Sequence, residues 1–262
     1  MLDIKNVTMT INPGTVNAKR AIDDLSLTVD DGDFITIIGA NGAGKSTLFN
    51  IISGSFFVDS GVIMLDGKDV TLVPEHVRAH SIGRLRQDPM LGTAPDMSIE
   101  DNLRLAAGSG GWMSGPDKKD HERFREALSK LDMGLEDRME QPVGLLSGGQ
   151  RQALTLMMAT LNPPKLLLLD EHTAALDPAT ADKVIAITEE IVREKHITCL
   201  MVTHNMQSAL DLGNRTIMMD RGRIIYDVKG AERDALTVDD LLVKFKEQAG
   251  KALDTDRMLL TE

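Results

Sequence analysis

The sequence predicts an α/β fold in which a mostly parallel β-sheet is covered by helices on both faces. Apolar runs such as FITIIG (34–39) and LLLLD (166–170) are typical of strands that are buried on both sides. After residue 163, strand and helix periodicities alternate along the chain, which is the pattern of a parallel sheet with crossover helices. The predicted segments are 165–169, 178–194, 197–202 and 205–212.

The first part of the chain is rich in strand patterns. Residues 2–38 contain an alternating stretch, LDIKNVTMTI, followed by the buried run that ends at Gly39. A helix is expected from Lys45 to Ser53. The Asp66-Gly67 pair between apolar stretches predicts a hairpin turn. The segment SIGRLRQDP predicts another short strand, which stops at Gln87 to Pro89.

The middle of the chain has helical periodicity from residue 98 to residue 161, as in IEDNLRLAA and RFREALSKLDM. This stretch interrupts the strand–helix alternation, so we expect an inserted helical lobe. Between its helices, the segment GSGGWMSGPDKKD (108–120) is rich in glycine and serine and is expected to be a mobile loop.

The C-terminal segment 231–262 is expected to form a helix and a tail. Thr237 and Asp240 have the spacing of a capping arrangement, and Gly250 suits the end of the helix. The apolar face would consist of Leu241, Leu242 and Phe245. We expect this helix to dock on the core of its own chain.

Composition excludes several classes of function. A formal net charge of −11 and an aromatic content of 3% argue against nucleic acid as the main ligand. The single cysteine, Cys199, lies in the apolar run ITCLMV and is expected to be a buried thiol. With no internal disulfide and no secretory signal pattern at the start, the expected compartment is the reducing cytosol. No apolar run approaches the ~20 residues that span a bilayer.

The segment GANGAGKST (39–47) matches the pattern G-x-x-x-x-G-K-[ST] between a predicted strand and a predicted helix. Glycines allow the backbone to wrap a phosphate, Lys45 is expected to reach the β- and γ-phosphates, and Ser46 to ligate Mg²⁺. The sequence therefore predicts a nucleotide site. The residues expected to bind nucleotide in this loop are Gly39, Asn41, Gly42, Gly44, Lys45, Ser46 and Thr47.

Two adjacent carboxylates, Asp170 and Glu171, follow the predicted strand 166–169. Buried carboxylates require a compensating cation or hydrogen bonds, and a magnesium nucleotide supplies the cation. Asp170 is therefore expected to hold Mg²⁺, and Glu171 to orient and polarise the attacking water as the catalytic base. The pattern indicates hydrolysis of a nucleoside triphosphate.

The segment LLSGGQRQAL (145–154), together with these motifs, resembles the ATP-binding subunit of ABC transporters over residues 2–228. The resemblance implies the P-loop NTPase (RecA-like) core with a mostly parallel sheet and an N-terminal antiparallel β region. It also implies an ATPase domain at 1–230, with a helical subdomain inserted at about 89–161.

The resemblance implies further roles by motif. Gln87 would sense and ligate Mg²⁺, Asp177 would belong to the D-loop, and His204 would act at the γ-phosphate. The signature motif would consist of Ser147, Gly148, Gly149 and Gln150. In this family two copies sandwich two ATP molecules head to tail, so that Ser147 and Gly149 contact the γ-phosphate bound to the other copy. The free N–H groups of a helix that begins at the signature are suited to such an anion.

Two positions depart from the family pattern. His172 follows Glu171 where the family usually has proline, and we interpret it as part of an altered turn that leaves Glu171 in place. The family stacks adenine on an aromatic residue near the N-terminus, but here Ile11 occupies the expected position. Apolar contact would replace stacking, and selectivity for adenine is expected to be weaker.

Three kinds of ABC protein fit the motifs: the energising subunit of an importer, an exporter or extraction ATPase, and a non-transport ATPase. The helical stretch has no sustained heptads, the chain has one cassette, and it carries no membrane helices of its own. These features favour an importer subunit on the inner face of the membrane, bound to separate permease subunits and served indirectly by a solute-binding protein. The chain resembles a subgroup with permeases of the branched-chain amino acid and sugar type, associated with aromatic amino acid uptake.

Overall fold

A computed structural model describes residues 1–108 and 118–249 of the chain. Most of the predicted loop at 108–120, the predicted helix stop at Gly250 and the predicted tail lie outside the described residues. The chain divides into two units, one formed by residues 1–82 and the chain from residue 198 onward, and one formed by residues 83–197. This division does not test the predicted bounds of the helical subdomain, about 89–161, which stay a prediction.

The strands are β1 (Leu2–Ile11), β2 (Lys19–Val29), β3 (Phe34–Gly39), β4 (Ser60–Leu65), β5 (Lys68–Asp69), β6 (Ile82–Leu85), β7 (Leu166–Asp170), β8 (Thr198–Val202), β9 (Arg215–Asp220) and β10 (Arg223–Lys229). They range from two residues in β5 to eleven in β2, and the core strands β3, β7 and β8 are entirely buried. The helices are α1 (Lys45–Ser53), α2 (Glu75–Arg78), α3 (Ile99–Ala107), α4 (Lys118–Ser129), α5 (Gly148–Thr160), α6 (Pro178–Glu194), α7 (Met206–Asp211), α8 (Ala231–Asp234) and α9 (Val238–Ala249).

The first unit contains strands of two sheets. In one, the order is β2-β1-β4-β5 and all pairs are antiparallel. In the other, β10, β9, β3 and β8 lie side by side, and β3 is parallel to both of its neighbours. Every residue of β3 is buried, as its unbroken apolar run predicts. The carboxyl ends of β3 and β8 therefore lie at one edge of the sheet.

The predicted hairpin at Asp66-Gly67 is confirmed. β4 and β5 pair in antiparallel fashion, with Leu65 opposite Lys68. Asp66 and Gly67 have φ angles of 50° and 70°, which is the left-handed backbone that a two-residue hairpin turn requires.

The second unit combines the buried strand β7 and its neighbour β6 with the helices α3 to α6. The helical pattern predicted for 98–161 is interrupted at 130–147, where turns and a short 3₁₀ helix (Val143–Leu145) replace it. The reason lies in the backbone, because Asp132 and Gly134 take positive φ angles and Pro142 cannot continue a helix.

The C-terminal helix α9 packs on the core of the first unit, as predicted. Thr237 Oγ1 accepts a hydrogen bond from the Asp240 N–H, and the Asp240 carboxylate accepts one from the Thr237 N–H. Leu241 and Phe245 are buried in a cluster with residues of β3, α7 and β9. Cys199 is buried in β8, and burial raises the pKa of its thiol, so the predicted core thiol is confirmed.

Candidate nucleotide-binding and hydrolysis residues

The turn that follows β3 is built from glycines in conformations that other residues rarely adopt. Gly39, Gly42 and Gly44 have φ angles of 156°, 78° and 105°. A Cβ atom at Gly44 would lie 2.6 Å from the carbonyl oxygen of Ala21, and one at Gly39 would collide with the carbonyl of Met219. The turn therefore requires glycine both for its backbone angles and for close approach to neighbouring backbone.

The amino end of α1 is suited to an anion. The helix begins at Lys45, and its N-cap residue, Gly44, provides no side-chain hydrogen bond to the first turn. N–H groups at such an end, together with the helix dipole, attract negative charge. The predicted nucleotide-binding residues that solvent reaches at this end are Asn41, Gly42, Gly44, Ser46 and Thr47.

The ammonium group of Lys45 lies inside this turn. The side chain is buried, and Nζ donates hydrogen bonds to the carbonyl oxygens of Gly39 at 2.6 Å and Ala40 at 3.3 Å. Both of these acceptors are neutral carbonyl groups. The turn thus combines backbone N–H groups with a fixed cation, which is the donor set that a triphosphate needs.

His204 lies at the same sheet edge as the glycine turn. It follows β8 by two residues, and the N–H of Thr203 continues the pairing with β3 by donating to the Ile37 carbonyl at 3.2 Å. The next residue, Asn205, caps α7 by accepting a hydrogen bond from Ser208 N at 2.9 Å. Strand pairing on one side and a helix cap on the other fix the backbone that carries His204.

Ile11 is the last residue of β1 and is half-buried. It pairs with Lys19 across the antiparallel sheet. Lys19 Nζ donates to the carbonyl oxygen of Gly42 at 3.4 Å, so a cation lies beside the glycine turn close to the position expected for adenine contact. No sequence motif points to Lys19, because only the strand register connects it with Ile11.

Asp170 and Glu171 lie where β7 ends. Asp170 is its last residue and is buried, and the Arg84 guanidinium of β6 comes within 3.9 Å of its carboxylate. Glu171 has a φ angle of 49°, so the chain leaves the strand through a left-handed residue that is not glycine. Such a conformation costs about 1–3 kcal/mol and persists only where the surrounding structure holds it.

Gln87 lies in an exposed bend, two residues after β6. Asp88 follows it and caps the short 3₁₀ helix Pro89–Gly92 by accepting a hydrogen bond from Met90 N at 2.9 Å. The bend leaves the Gln87 amide accessible, and the cap after it fixes where the bend ends.

The signature segment opens α5, as expected. Ser147 is the N-cap, with its Oγ accepting from Gln150 N and the Gln150 side chain accepting from Ser147 N, so the two residues form a capping box. A hydroxyl that accepts a bond still carries its own proton, which Ser147 can donate to an anion. A Cβ at Gly149 would collide with the methyl group of Thr180, and one at Gly148 would touch Leu176 at 3.5 Å.

The predicted D-loop residue, Asp177, caps α6. Its carboxylate accepts a hydrogen bond from Thr180 N at 3.1 Å, and the bonds from Thr180 lower the pKa of the Asp177 carboxyl. His172 lies earlier in the same turn and is fully enclosed; burial lowers the pKa of its imidazole to about 4, so the ring is neutral at physiological pH. The interpretation of His172 as part of an altered turn is consistent with this burial.

Comparison with known proteins gives the family. A family model described as "ABC transporter" matches residues 22–174, a span that contains the glycine turn, the signature and both carboxylates. The chain belongs to the ABC transporter ATP-binding family. As members of that family do, it binds and hydrolyses ATP.

Relatives of this ABC ATPase extend the match over nearly its whole length. A "Tyrosine transport ATP-binding protein" of Clostridioides difficile is 44% identical over 94% of this chain and 99% of the relative. A "Xylose/arabinose import ATP-binding protein" of Sulfolobus acidocaldarius is 33% identical over 87% of this chain and 90% of the relative. Among solved structures, the dimeric post-hydrolysis state of the cassette MJ0796 bound to ADP and Pi covers 87% of this chain and 98% of its own, with a TM-score of 0.75 and 28% identity.

The residues of this ABC ATPase fit magnesium as well as ATP. The hydroxyl of Ser46 and the carboxylate of Asp170 are hard oxygen donors of the kind that Mg²⁺ prefers. Within residues 1–108 and 118–249, no three histidine, cysteine or acidic side chains form a cluster that would hold a metal by itself. None of the described helices is long and apolar enough to cross a bilayer.

Proposed function

We propose that this ABC ATPase powers the import of an amino acid, most specifically of the aromatic class, through separate permease subunits at the cytoplasmic face of the membrane. The observation that carries the proposal is the 44% identity, over 94% of this chain and 99% of the relative, with a protein named for tyrosine transport. The name of the sugar-import relative supports the inward direction. A solute-binding protein would deliver the solute to the permease and contact this chain only indirectly.

In the proposed cycle, the glycine turn binds the triphosphate. Backbone N–H groups from Gly39 to Thr47 surround the phosphates, and the buried Lys45 ammonium neutralises the β- and γ-phosphates. The Ser46 hydroxyl and the amide of Gln87 are proposed as further magnesium ligands beside Asp170. Mg²⁺, when bound, supplies charge neutralisation at the leaving phosphates. Ile11 would contact the adenine base of ATP through apolar atoms alone.

Hydrolysis is assigned to three side chains. Glu171 would accept the proton of the attacking water, since a carboxylate held in position at the end of a strand can act as a general base. His204 would hydrogen-bond the γ-phosphate, and its position at the edge shared with the glycine turn supports this role. Gln87 would bind the magnesium ion and transmit its presence to the permease. The exposed position of Gln87 in a bend supports this role.

We further propose that two copies assemble head to tail around ATP. The signature residues Ser147, Gly148, Gly149 and Gln150 would then complete the nucleotide site of the other copy, with Asp177 beside them. The capped start of α5 supports this role, because its geometry presents an O–H donor and helix N–H groups to an anion. The dimer of the cassette MJ0796 supports the assembly.

The permease is proposed to bind the surface formed by residues 87–102. Three large apolar side chains are exposed there, Met90, Leu91 and Met97, and exposed apolar groups at one surface are typical of protein contacts. Asp96 is exposed between them and is the suitable probe. Glu100 is a poor probe, because His121 Nδ1 lies 2.9 Å from its carboxylate and a substitution would break that contact.

The test of transport uses uptake of labelled solutes by cells that lack this chain. We expect loss of tyrosine uptake, restoration by the wild-type chain, and no restoration by Glu171→Gln, while uptake of xylose serves as the control. Asp96→Lys should weaken uptake more than it weakens the ATPase activity of the isolated chain. Unchanged tyrosine uptake would contradict the proposed solute, and equal loss of uptake and ATPase activity would contradict the proposed permease surface.

A further inference from the structure

His172 is attached to α6 by one specific contact. The imidazole is 2% exposed, and its Nε2 lies 3.3 Å from Oγ1 of Thr188, which is itself buried in α6. Thr188 donates its only hydroxyl proton to the carbonyl oxygen of Val184 at 2.7 Å. Thr188 must therefore accept from His172, so the imidazole carries its proton on Nε2.

The second ring nitrogen of His172, Nδ1, indicates that histidine is not the most stabilising residue at this position. Within the described chain, Nδ1 of His172 is buried and has no hydrogen-bond partner. A buried acceptor without a partner costs free energy, and an apolar side chain of similar size would avoid that cost. Histidine at this position is thus better explained by the one bond that it does make than by packing.

That bond lies next to a strained residue. Glu171 immediately precedes His172 and has the left-handed φ angle of 49°. The turn that follows is compact, because the N–H of Ala174 donates to the Glu171 carbonyl at 3.0 Å and the N–H of Leu176 donates to the Thr173 carbonyl at 3.1 Å. A shift of His172 would therefore move the whole turn, together with the backbone of Glu171.

The helix that receives the bond also contacts the signature. Thr180 of α6 is in such close contact with Gly149 that no side chain fits between them, and Leu176 in the turn approaches Gly148. Thr180 and Thr188 belong to one continuous helix. The same rigid element therefore holds the turn of Glu171 through His172 and supports the start of α5.

We propose that His172 is a positioning residue: its bond to Thr188 fastens the turn of Glu171 to α6 and so sets the orientation of the Glu171 carboxylate relative to the signature. The inference rests on the role proposed above for Glu171. It predicts that loss of the bond lowers the rate of hydrolysis and leaves ATP affinity unchanged, because the bond joins the turn after β7 to α6, whereas the proposed phosphate contacts are made by residues 39–47.

The experiment compares Thr188→Val, which keeps the shape and removes the acceptor, with Thr188→Ser, which keeps the hydroxyl. Since small misplacements of a catalytic group cost up to ~100-fold, we expect kcat for ATP to fall about tenfold or more in Thr188→Val. Thr188→Ser should stay within about twofold of wild type, and the Kd for a fluorescent ATP analogue should be unchanged in both. In parallel, His172→Gln, which retains an amide donor at the distance of Nε2, should keep more activity than His172→Leu.

Thr160→Val is the matched control. Thr160 is also a buried helical threonine whose hydroxyl bonds the carbonyl four residues earlier, Leu156, at 2.8 Å, but it is not bonded to the turn. If Thr188→Val keeps its turnover, or if Thr160→Val loses turnover equally, the positioning role is refuted. Should Thr188→Val fail to fold, the two His172 variants decide, and equal kcat values for them would refute the role.

Glu171→Gln, measured alongside, separates the two proposals: normal turnover there would refute the role of Glu171 itself.

Discussion

Two turns in this ATPase follow strands whose residues are all buried, but they are built in different ways. The turn after β3, residues 39–44, takes its shape from glycines with positive φ angles and from close contact with neighbouring backbone. The turn after β7, residues 171–177, contains no glycine. It is held by side chains, with His172 bonded to Thr188 and Asp177 capping α6.

The difference follows from what each turn has to present. A phosphate is recognised by backbone N–H groups that converge on it, so the first turn needs glycine at the positions where its backbone takes positive φ angles or comes close to other backbone. The second turn presents a side chain, the carboxylate of Glu171, as the proposed catalytic base. That carboxylate can act on the attacking water only if neighbouring residues hold the Glu171 backbone in one position. Substitutions in the first turn should therefore act through sterics, and substitutions in the second through side-chain chemistry.

The largest effect is expected from Glu171→Gln, which removes the proposed base and leaves the glycine turn intact. Hydrolysis should fall by ~10²–10⁴-fold, because this is the range that a positioned general base contributes. ATP should still bind, and the head-to-tail dimer should accumulate since its exit step is blocked. Size-exclusion chromatography with Mg-ATP and a phosphate-release assay measure the two outcomes. Near-normal turnover would mean that His204 or another group directs the water.

Asp170→Asn is expected to fail in a different way from Glu171→Gln. The carboxylate proposed to hold Mg²⁺ loses its charge, so both nucleotide binding and turnover should decrease and no stable dimer should form. Titration of Mg²⁺ against ATPase activity should show a raised requirement for the ion. A dimer as stable as that of the Glu171 variant would contradict the division of roles between the two carboxylates.

In the glycine turn, Gly44→Ala should lower the free energy of unfolding by more than about 2 kcal/mol, because a left-handed backbone and a steric clash act together. Its added Cβ would meet the Ala21 carbonyl oxygen at 2.6 Å. Gly67→Ala is the matched control, since Gly67 also has a positive φ angle but has open space around it. There we expect a loss of about 1 kcal/mol, from the backbone angle alone. Equal losses in urea denaturation would show that close approach contributes nothing.

The smallest effect is expected for recognition of the adenine base of ATP, in which neither of the two turns takes part. Ile11 gives apolar contact only, so wild-type kcat/KM should discriminate weakly between ATP and GTP. Ile11→Tyr should improve ATP affinity about fivefold or more, since a stacked ring contributes ~1–3 kcal/mol. Competition binding with both nucleotides measures this. Strong preference of the wild type for ATP would indicate that another side chain, such as Lys19 beside Gly42, contributes to recognition.

Local signals were sufficient for much of the fold. The bounds of α1 and α6 agree with the sequence predictions, because Gly44 precedes the first helix and Asp177-Pro178 marks the start of the second. The break at 130–147 was missed, since apolar spacing there continues to look helical while Asp132 and Gly134 turn the chain. The contacts of Lys19 and Thr188 were missed as well, because each depends on a partner more than 15 residues away.

By itself the sequence determined the family, the ATP-binding motifs and the chemistry of each candidate group, because these depend on residue types at short, regular spacings. Only the tertiary structure decided which neighbours hold those groups: the carbonyls around Lys45, the backbone that excludes a Cβ at Gly44, and the bond from His172 to Thr188. The physical reason is that a motif encodes local backbone and functional groups, whereas restraint comes from strand register and helix packing, which bring together residues that are distant along the chain.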